Sequence, residues 1–158
     1  MAIAYLALGA NLGDPVATVN AAFAAISRLP HSQLQARSAL YRTAPVGIAE
    51  QPEFINAAAR IATELAPEAL LDALLAIEKD FGRVRSLRNG PRTLDLDLLL
   101  YADLTLDTPR LQLPHPRLHL RAFVLHPLAE IAPGLVIPGR GSVAAWLPAV
   151  ANQRIVRT

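Results

Sequence analysis

Cysteine is absent from this chain of 158 residues. That excludes both a disulfide framework and a zinc–thiolate centre. Aromatic residues make up only 5% of the chain, which argues against a sheet that stacks the bases of a single strand. Lysine is nearly missing, with Lys79 the only one, so arginine carries almost all the positive charge and the formal net charge is +2. Arginine's planar fork suits phosphate oxygens. The chain is also rich in alanine and leucine, so compositional bias explains most of the arginine, and only local clusters are informative. No apolar run is long enough to span a membrane. Ala2–Leu8 has no positive charges ahead of it and ends in a turn rather than a cleavage pattern, so it reads as a buried strand and not as a signal peptide. A cytoplasmic protein is expected. Two nucleotide motifs are missing as well, the P-loop G-x-x-x-x-G-K-[ST] and the dinucleotide G-x-G-x-x-G. The segment Gly9–Ala10–Asn11–Leu12–Gly13 lacks the lysine, so neither a P-loop enzyme nor a protein-kinase fold is expected.

The length fits one domain spanning residues 1–158, large enough to bury a core. Ala2–Leu8 predicts a strand covered on both faces. Asp14 and Pro15 suit the start of a helix, and Val16, Val19, Phe23 and Ile26 give it one apolar face, with Pro30 at the exit. Leu34–Tyr41 alternates as a strand. Thr43–Pro52 holds Pro45, Gly47 and Pro52 and reads as a loop. Phe54–Thr63 is the next strand. Pro67 and Glu68 open a second helix with a stripe of Leu70, Leu74, Ile77 and Phe81, stopped by Gly82. Arg83–Arg92 is a basic loop, and Thr93–Tyr101 a further strand. The order strand, helix, strand, strand, helix, strand predicts an α+β, ferredoxin-like βαββαβ sandwich. Beyond Ala102 the proline-rich remainder predicts C-terminal additions: a short hairpin, a helix near Arg121–Ile131 and a tail around Trp146. Such a fold by itself assigns no function.

Chemistry is concentrated in Gly90–Pro91–Arg92–Thr93–Leu94–Asp95–Leu96–Asp97–Leu98. Strand side chains alternate faces, so the leucines point one way and Asp95 and Asp97 the other. Two adjacent carboxylates repel unless something positive joins them. Magnesium serves well, because it takes one or two carboxylates and fills its octahedron with phosphate and water. An ordinary polar strand face is the plainer reading, but aspartate is a poor strand former. Arg83, Arg85, Arg88 and Arg92 crowd the preceding loop, either as a solvated basic loop or as a clamp for a polyphosphate. The neighbouring aspartates favour the clamp, and Gly82 and Gly90 suit a loop that moves. His115, held between Pro114 and Pro116 with Arg110 and Arg121 on either side, is a candidate phosphate contact or a structural histidine. Phe54 and Asn56 share one strand face, where a ring and an amide suit a flat heterocycle. Taken alone, a phenylalanine such as Phe54 is more often simply core.

Taken together, these segments resemble the 6-hydroxymethyl-7,8-dihydropterin pyrophosphokinase family of folate synthesis. The resemblance runs through Ala4–Tyr5–Leu6–Ala7–Leu8–Gly9–Ala10–Asn11–Leu12–Gly13, Tyr41–Arg42–Thr43–Ala44–Pro45 and Gln51–Pro52–Glu53–Phe54–Ile55–Asn56–Ala57–Ala58. It is strongest at Gly90–Pro91–Arg92–Thr93–Leu94–Asp95–Leu96–Asp97. It ends in Pro114–His115–Pro116, Arg121–Ala122–Phe123 and Pro127–Leu128.

The resemblance implies ATP as co-substrate, a hydroxymethyl dihydropterin as acceptor and AMP as leaving product. It implies two magnesium ions on Asp95 and Asp97. Thr43, Ala44, Pro45, Val46, Phe54, Asn56 and Phe123 would form the pterin pocket, with Phe54 and Phe123 sandwiching the ring. Arg83 and Arg92 would act on the transferring phosphates. Arg85, Arg92, Arg110, His115 and Arg121 would hold ATP, with Leu71, Glu78 and Leu98 near the nucleotide. Small molecules are the expected partners, with no nucleic acid, no membrane and a monomeric chain. Two other classes remain open on the residues themselves. A metal-dependent phosphodiesterase also suits paired aspartates and arginines, and a ferredoxin-like nucleic-acid module suits the basic loop.

Overall fold

Alternation along the first strand sets up the fold. The computed structural model of the chain describes residues 1–43, 52–82 and 93–158. Strand β1 (Ala2–Ala10) sends Ala4, Leu6, Leu8 and Ala10 to one side and Tyr5 and Ala7 to the other. The first side is covered by helices α1 (Pro15–Ser27) and α2 (Pro67–Asp80). Asp14 caps α1 by accepting the Ala17 N–H at 3.1 Å, and Pro15 occupies the first turn. Val19, Ala22, Phe23 and Ile26 are the buried stripe of α1, which thus begins one turn later than Val16, exposed at 38%. Leu70, Leu74 and Ile77 are that of α2. Gly82 follows α2 with φ +77°, a conformation that costs glycine no strain.

The central strand β4 (Phe54–Thr63) pairs with β1 along its whole length, and β1 pairs on its other side with β5 (Asp95–Tyr101), both antiparallel. Each helical crossover skips a strand, which gives the interleaved order of a ferredoxin-like sheet. The predicted strand Leu34–Tyr41 is a correction. The chain forms two strands there, β2 (Ser32–Arg37) and β3 (Tyr41–Thr43), both on β4. The physical cause is Ser38. Its N–H donates to the Ala58 carbonyl at 2.9 Å, while its hydroxyl accepts the Ala58 N–H at 2.8 Å and donates to the Ala39 carbonyl at 2.7 Å. A side chain thus replaces a ladder carbonyl, and the chain steps out by one residue before re-pairing, as in a bulge.

Most of the C-terminal additions cover the sheet's second side, while Leu106, Leu111 and Leu113 in and beside the first hairpin pack in the first core. A hairpin of β6 (Leu106–Asp107) and β7 (Gln112–Leu113) leads to a 3-10 turn at Leu118–Leu120 and to α3 (Ala122–Ile131). A small hairpin, β8 (Val136–Ile137) with β9 (Gly141–Ser142), and α4 (Val143–Trp146) follow. The expected tail does more than cover. Its end, β10 (Ile155–Arg157), returns to the sheet beside β3, so the order across the sheet is β10, β3, β4, β1, β5. Val124, Leu125 and Leu128 of α3 pack with Tyr5, Leu99 and Leu100 in this second core. The result is a helix–sheet–helix sandwich in which each sheet face has its own apolar layer.

Replacing Ser38 by alanine strands the buried Ala58 N–H. The variant should lose about 1–3 kcal/mol in urea unfolding, while an unchanged midpoint would contradict the role given to this hydroxyl.

Candidate active site

The face of the sheet that α3 covers carries the polar residues. On β4, Ile55, Ala57, Ala59 and Ile61 belong to the first core, so Phe54, Asn56 and Ala58 point to the α3 side. Leu94, just before β5, and Leu96 and Leu98 on it are buried in the first core, and Asp95 and Asp97 are half-buried on the opposite face, as the alternation predicted. The register then sets the spacing. Gly9 of β1 lies directly between Asn56 of β4 and Asp95 of β5, and Ala7 lies between Ala58 and Asp97. Two strand spacings separate Asn56 from Asp95, about 10 Å. Gly9 lies between them, and the neighbouring Ala7 and Ala58 are also small.

Gly9 is required by its neighbour. A Cβ placed there would sit 2.9 Å from Asn56 Oδ1. The other end of that amide donates to Thr43 Oγ at 2.6 Å, and both Asn56 and Thr43 are buried. Asn56 is therefore held by a hydroxyl on one side and by the absence of a side chain on the other. Asn11, just past β1, donates from its amide to the Pro52 carbonyl at 3.0 Å, which anchors the chain two residues before Phe54.

The second cluster surrounds β5, the last strand of the sheet. Between Tyr5 and Leu6 the pairing with β1 shifts, which leaves Leu99 as an extra residue. Its carbonyl accepts the His115 N–H at 2.9 Å, so this irregularity fixes His115 beside β5. Arg140 donates to the His115 carbonyl at 3.0 Å. Burial, then the Arg121 charge, pushes the His115 imidazole down to about 4, with Asp95 opposing and Arg140 adding. His115 is neutral at physiological pH. Its Nδ1 accepts the Arg117 N–H at 3.2 Å, so Nε2 carries the proton and is a donor. Arg121 stands at the N-terminus of α3 with its guanidinium 5.3 Å from the Phe123 ring. Asp95, His115, Arg121 and Phe123 thus converge where β5 meets α3.

Leu71, Glu78 and Leu98 lie elsewhere, between α2 and β5, and Arg110 lies against the acids of α2. Glu78 is buried at 2% exposure and accepts the Leu96 N–H at 2.7 Å. It thereby satisfies a main-chain donor between the two aspartates. Leu98 is buried in the first core and Leu71 packs against that core. Arg110, in the β6–β7 turn, is engaged with two acids of α2, hydrogen-bonding Asp72 and lying 3.9 Å from Glu68. The Asp72 hydrogen bond, then its charge, holds the Arg110 pKa above its ordinary value. Ala44, Pro45, Val46, Arg83, Arg85, Arg88 and Arg92 fall outside the described residues. Sequence reasoning did not find Gly9's steric role or the tie from Asn11 to Pro52. The glycine-rich run after β1 was the only signal for either.

Known proteins resemble this chain over most of its length. The model of the family described as 7,8-dihydro-6-hydroxymethylpterin-pyrophosphokinase matches residues 5–133. The Pseudomonas aeruginosa 2-amino-4-hydroxy-6-hydroxymethyldihydropteridine pyrophosphokinase is 54% identical over 134 residues, covering 85% of this chain and 83% of its own length. The Haemophilus influenzae protein of the same name is 44% identical over 157 residues, covering 99% and 98%. Among solved structures, a crystal structure of HPPK-DHPS in complex with substrates superposes with a TM-score of 0.71 at 14% identity. It covers 96% of this chain and 44% of that one. The Plasmodium falciparum HPPK-DHPS bound to SDX-DHP gives 0.72 at 13% identity, with the same coverage. The chain spans less than half the length of these two solved chains, and the likeness to them shows the fold. On the family model and the curated relatives, this chain belongs to the 7,8-dihydro-6-hydroxymethylpterin-pyrophosphokinase family.

Proposed function

We infer that the chain transfers the pyrophosphoryl group of ATP to the hydroxymethyl oxygen of 6-hydroxymethyl-7,8-dihydropterin, releasing AMP, in folate biosynthesis. The observation that carries the reading at the level of the site is the row Asn56–Gly9–Asp95. An amide suited to a heterocycle and a carboxylate suited to metal-bound phosphate stand on one face, two strands apart.

In this reading the pterin lies on the α3 face, stacked between Phe54 and Phe123, with its polar edge on Asn56. Thr43 holds the Asn56 amide in one orientation, which selects the hydrogen-bond pattern of the ring. Ala44, Pro45 and Val46 join this pocket on the sequence pattern. ATP lies along β5, with its base and ribose toward Leu71, Glu78, Leu98 and Arg110 and its phosphates toward Asp95 and Asp97. Arg110 would exchange Asp72 for the nucleotide. His115 Nε2–H and Arg121 bind phosphate oxygens. Arg83, Arg85 and Arg92 take their places on sequence alone, Arg83 and Arg92 at the transferring phosphates and Arg85 on ATP.

Among the described residues no three histidine or acidic groups come together as a ready-made metal site. A pair of carboxylates completed by phosphate and water suits magnesium, and we assign two ions to Asp95 and Asp97. Bound there, magnesium supplies charge neutralisation for the triphosphate. The chain's own residues do the positioning. The hydroxymethyl oxygen attacks the β-phosphorus in line, the bond to the α-phosphate oxygen breaks, and AMP carries that oxygen away. Arginines and the His115 donor balance the charge spread over the equatorial oxygens. The hydroxyl proton leaves to solvent water or to a phosphate oxygen as the new bond forms, and no side chain is assigned as the base.

The phosphodiesterase and nucleic-acid readings find no support in the family assignment. No helix of the described residues is long and apolar enough to cross a membrane. A monomeric chain that is one domain throughout and works in the cytoplasm completes the proposal.

The direct test is to incubate the protein with magnesium–ATP, with and without the dihydropterin, and separate the nucleotides. AMP should form only with the acceptor, whereas phosphate release that ignores it would point to hydrolysis. Asp97→Ala should lower turnover by about a thousandfold or more and leave pterin binding near wild type. Near-normal turnover in that variant would sink the metal assignment. Gly9→Ala should displace the Asn56 amide and raise the dihydropterin KM about tenfold with little change in the KM for ATP. An unaltered dihydropterin KM would show that the amide does not read the ring.

A further inference from the structure

We propose that Glu130 is a positioning residue for the dihydropterin pocket, tying α3, which carries Phe123, to β3, which ends in Thr43. The inference rests on the pocket proposed above. Glu130 lies seven residues after Phe123 in α3, so the two share one side of the helix, two turns apart. Its carboxylate accepts the Tyr41 hydroxyl at 2.6 Å and the Ala39 N–H at 3.0 Å, and it lies 3.8 Å from the Arg157 guanidinium of β10. Three separate pieces of chain meet at this one group: the link between β2 and β3, β3 itself and the C-terminal strand.

The connection to the pocket is short. Tyr41 is buried and its Cα partner is Asn56. Two residues on, the Thr43 hydroxyl accepts the Asn56 amide. Fixing Tyr41 against α3 therefore fixes both the height of Phe123 above the sheet and the strand that orients Asn56. A flat ring needs that gap held to a fraction of an ångström, because a radial gap of 0.5–1 Å forfeits roughly a quarter to a half of a dispersion contact. Burial, and then the hydrogen bond to Glu130, pushes the Tyr41 phenol up to about 12, so it remains a donor throughout the working pH range. The exposed Arg157 contact adds little on its own. The charge-assisted bonds to Tyr41 and Ala39 carry the tie.

Steady-state kinetics on Glu130→Ala, Tyr41→Phe and the double variant test this, with Asn56→Ala as the reference for the pocket. All are measured where circular dichroism shows them folded, and Glu130→Leu, which keeps the bulk but has no acceptor, stands in if Glu130→Ala does not fold. Glu130→Ala should raise the dihydropterin KM about tenfold and leave the ATP KM within about twofold. Tyr41→Phe should shift the same constant in the same direction, and the double variant should be no worse than Glu130→Ala. A folded Glu130 variant whose dihydropterin KM stays near wild type, while Asn56→Ala raises it, would overturn the inference and leave the pocket standing. Equal rises in both KM values would reduce Glu130 to general support of the fold. If Asn56→Ala also leaves the dihydropterin KM unmoved, the pocket is misplaced and the inference falls with it.

Discussion

The arrangement of this site depends on a steric constraint at Gly9. The residue sits near the end of β1, with Asn56 on one neighbouring strand and Asp95 on the other. Any side chain there would meet the Asn56 amide oxygen, and it would also fill the space between Asn56 and Asp95. Glycine in a strand interior costs stability, since it packs nothing and loses the most chain entropy. The fold accepts that cost at the position that separates Asn56 from Asp95.

Around this point the two cores have different tasks. The first, between the sheet and α1 and α2, is built from long aliphatic side chains and fixes the register of β1, β4 and β5. The second, under α3, is built late in the chain and closes over the working face. The polar ties between layers are few and specific. Glu78 holds the strand of the aspartates at Leu96. The bulge carbonyl of Leu99 holds His115. The Tyr41 hydroxyl donates to Glu130 of α3. Each of these ties satisfies a buried or half-buried main-chain or side-chain group that would otherwise be costly to leave unpaired, and each also places a residue of the site.

Much of this could be read from the chain, for physical reasons that differ by element. β1, β4 and both crossover helices were legible because burial on a regular element repeats with a fixed period. The facing of Asp95 and Asp97 was legible for the same reason. The break at Ser38 was not, because it depends on a hydroxyl reaching a neighbouring strand, and that contact has no period. The return of the tail as β10 was hidden because three residues carry too little pattern to reveal a partner 112 positions or more away, as Ile155 pairs with Thr43 and Arg157 with Tyr41. The site residues came largely from resemblance. The resemblance named Asn56 and Thr43 but gave no hint that one orients the other. It also placed Arg110 near ATP without showing that the side chain engages Asp72 and Glu68.

The central claim is that acceptor and phosphates meet on the α3 face of the sheet, across Gly9. A crystal structure of the protein with magnesium, a non-hydrolysable ATP analogue and 6-hydroxymethyl-7,8-dihydropterin tests it most directly. The account predicts the ring between Phe54 and Phe123, with its hydroxymethyl oxygen toward phosphates held at Asp95 and Asp97. A ring bound elsewhere, or phosphates away from the two aspartates, would contradict it.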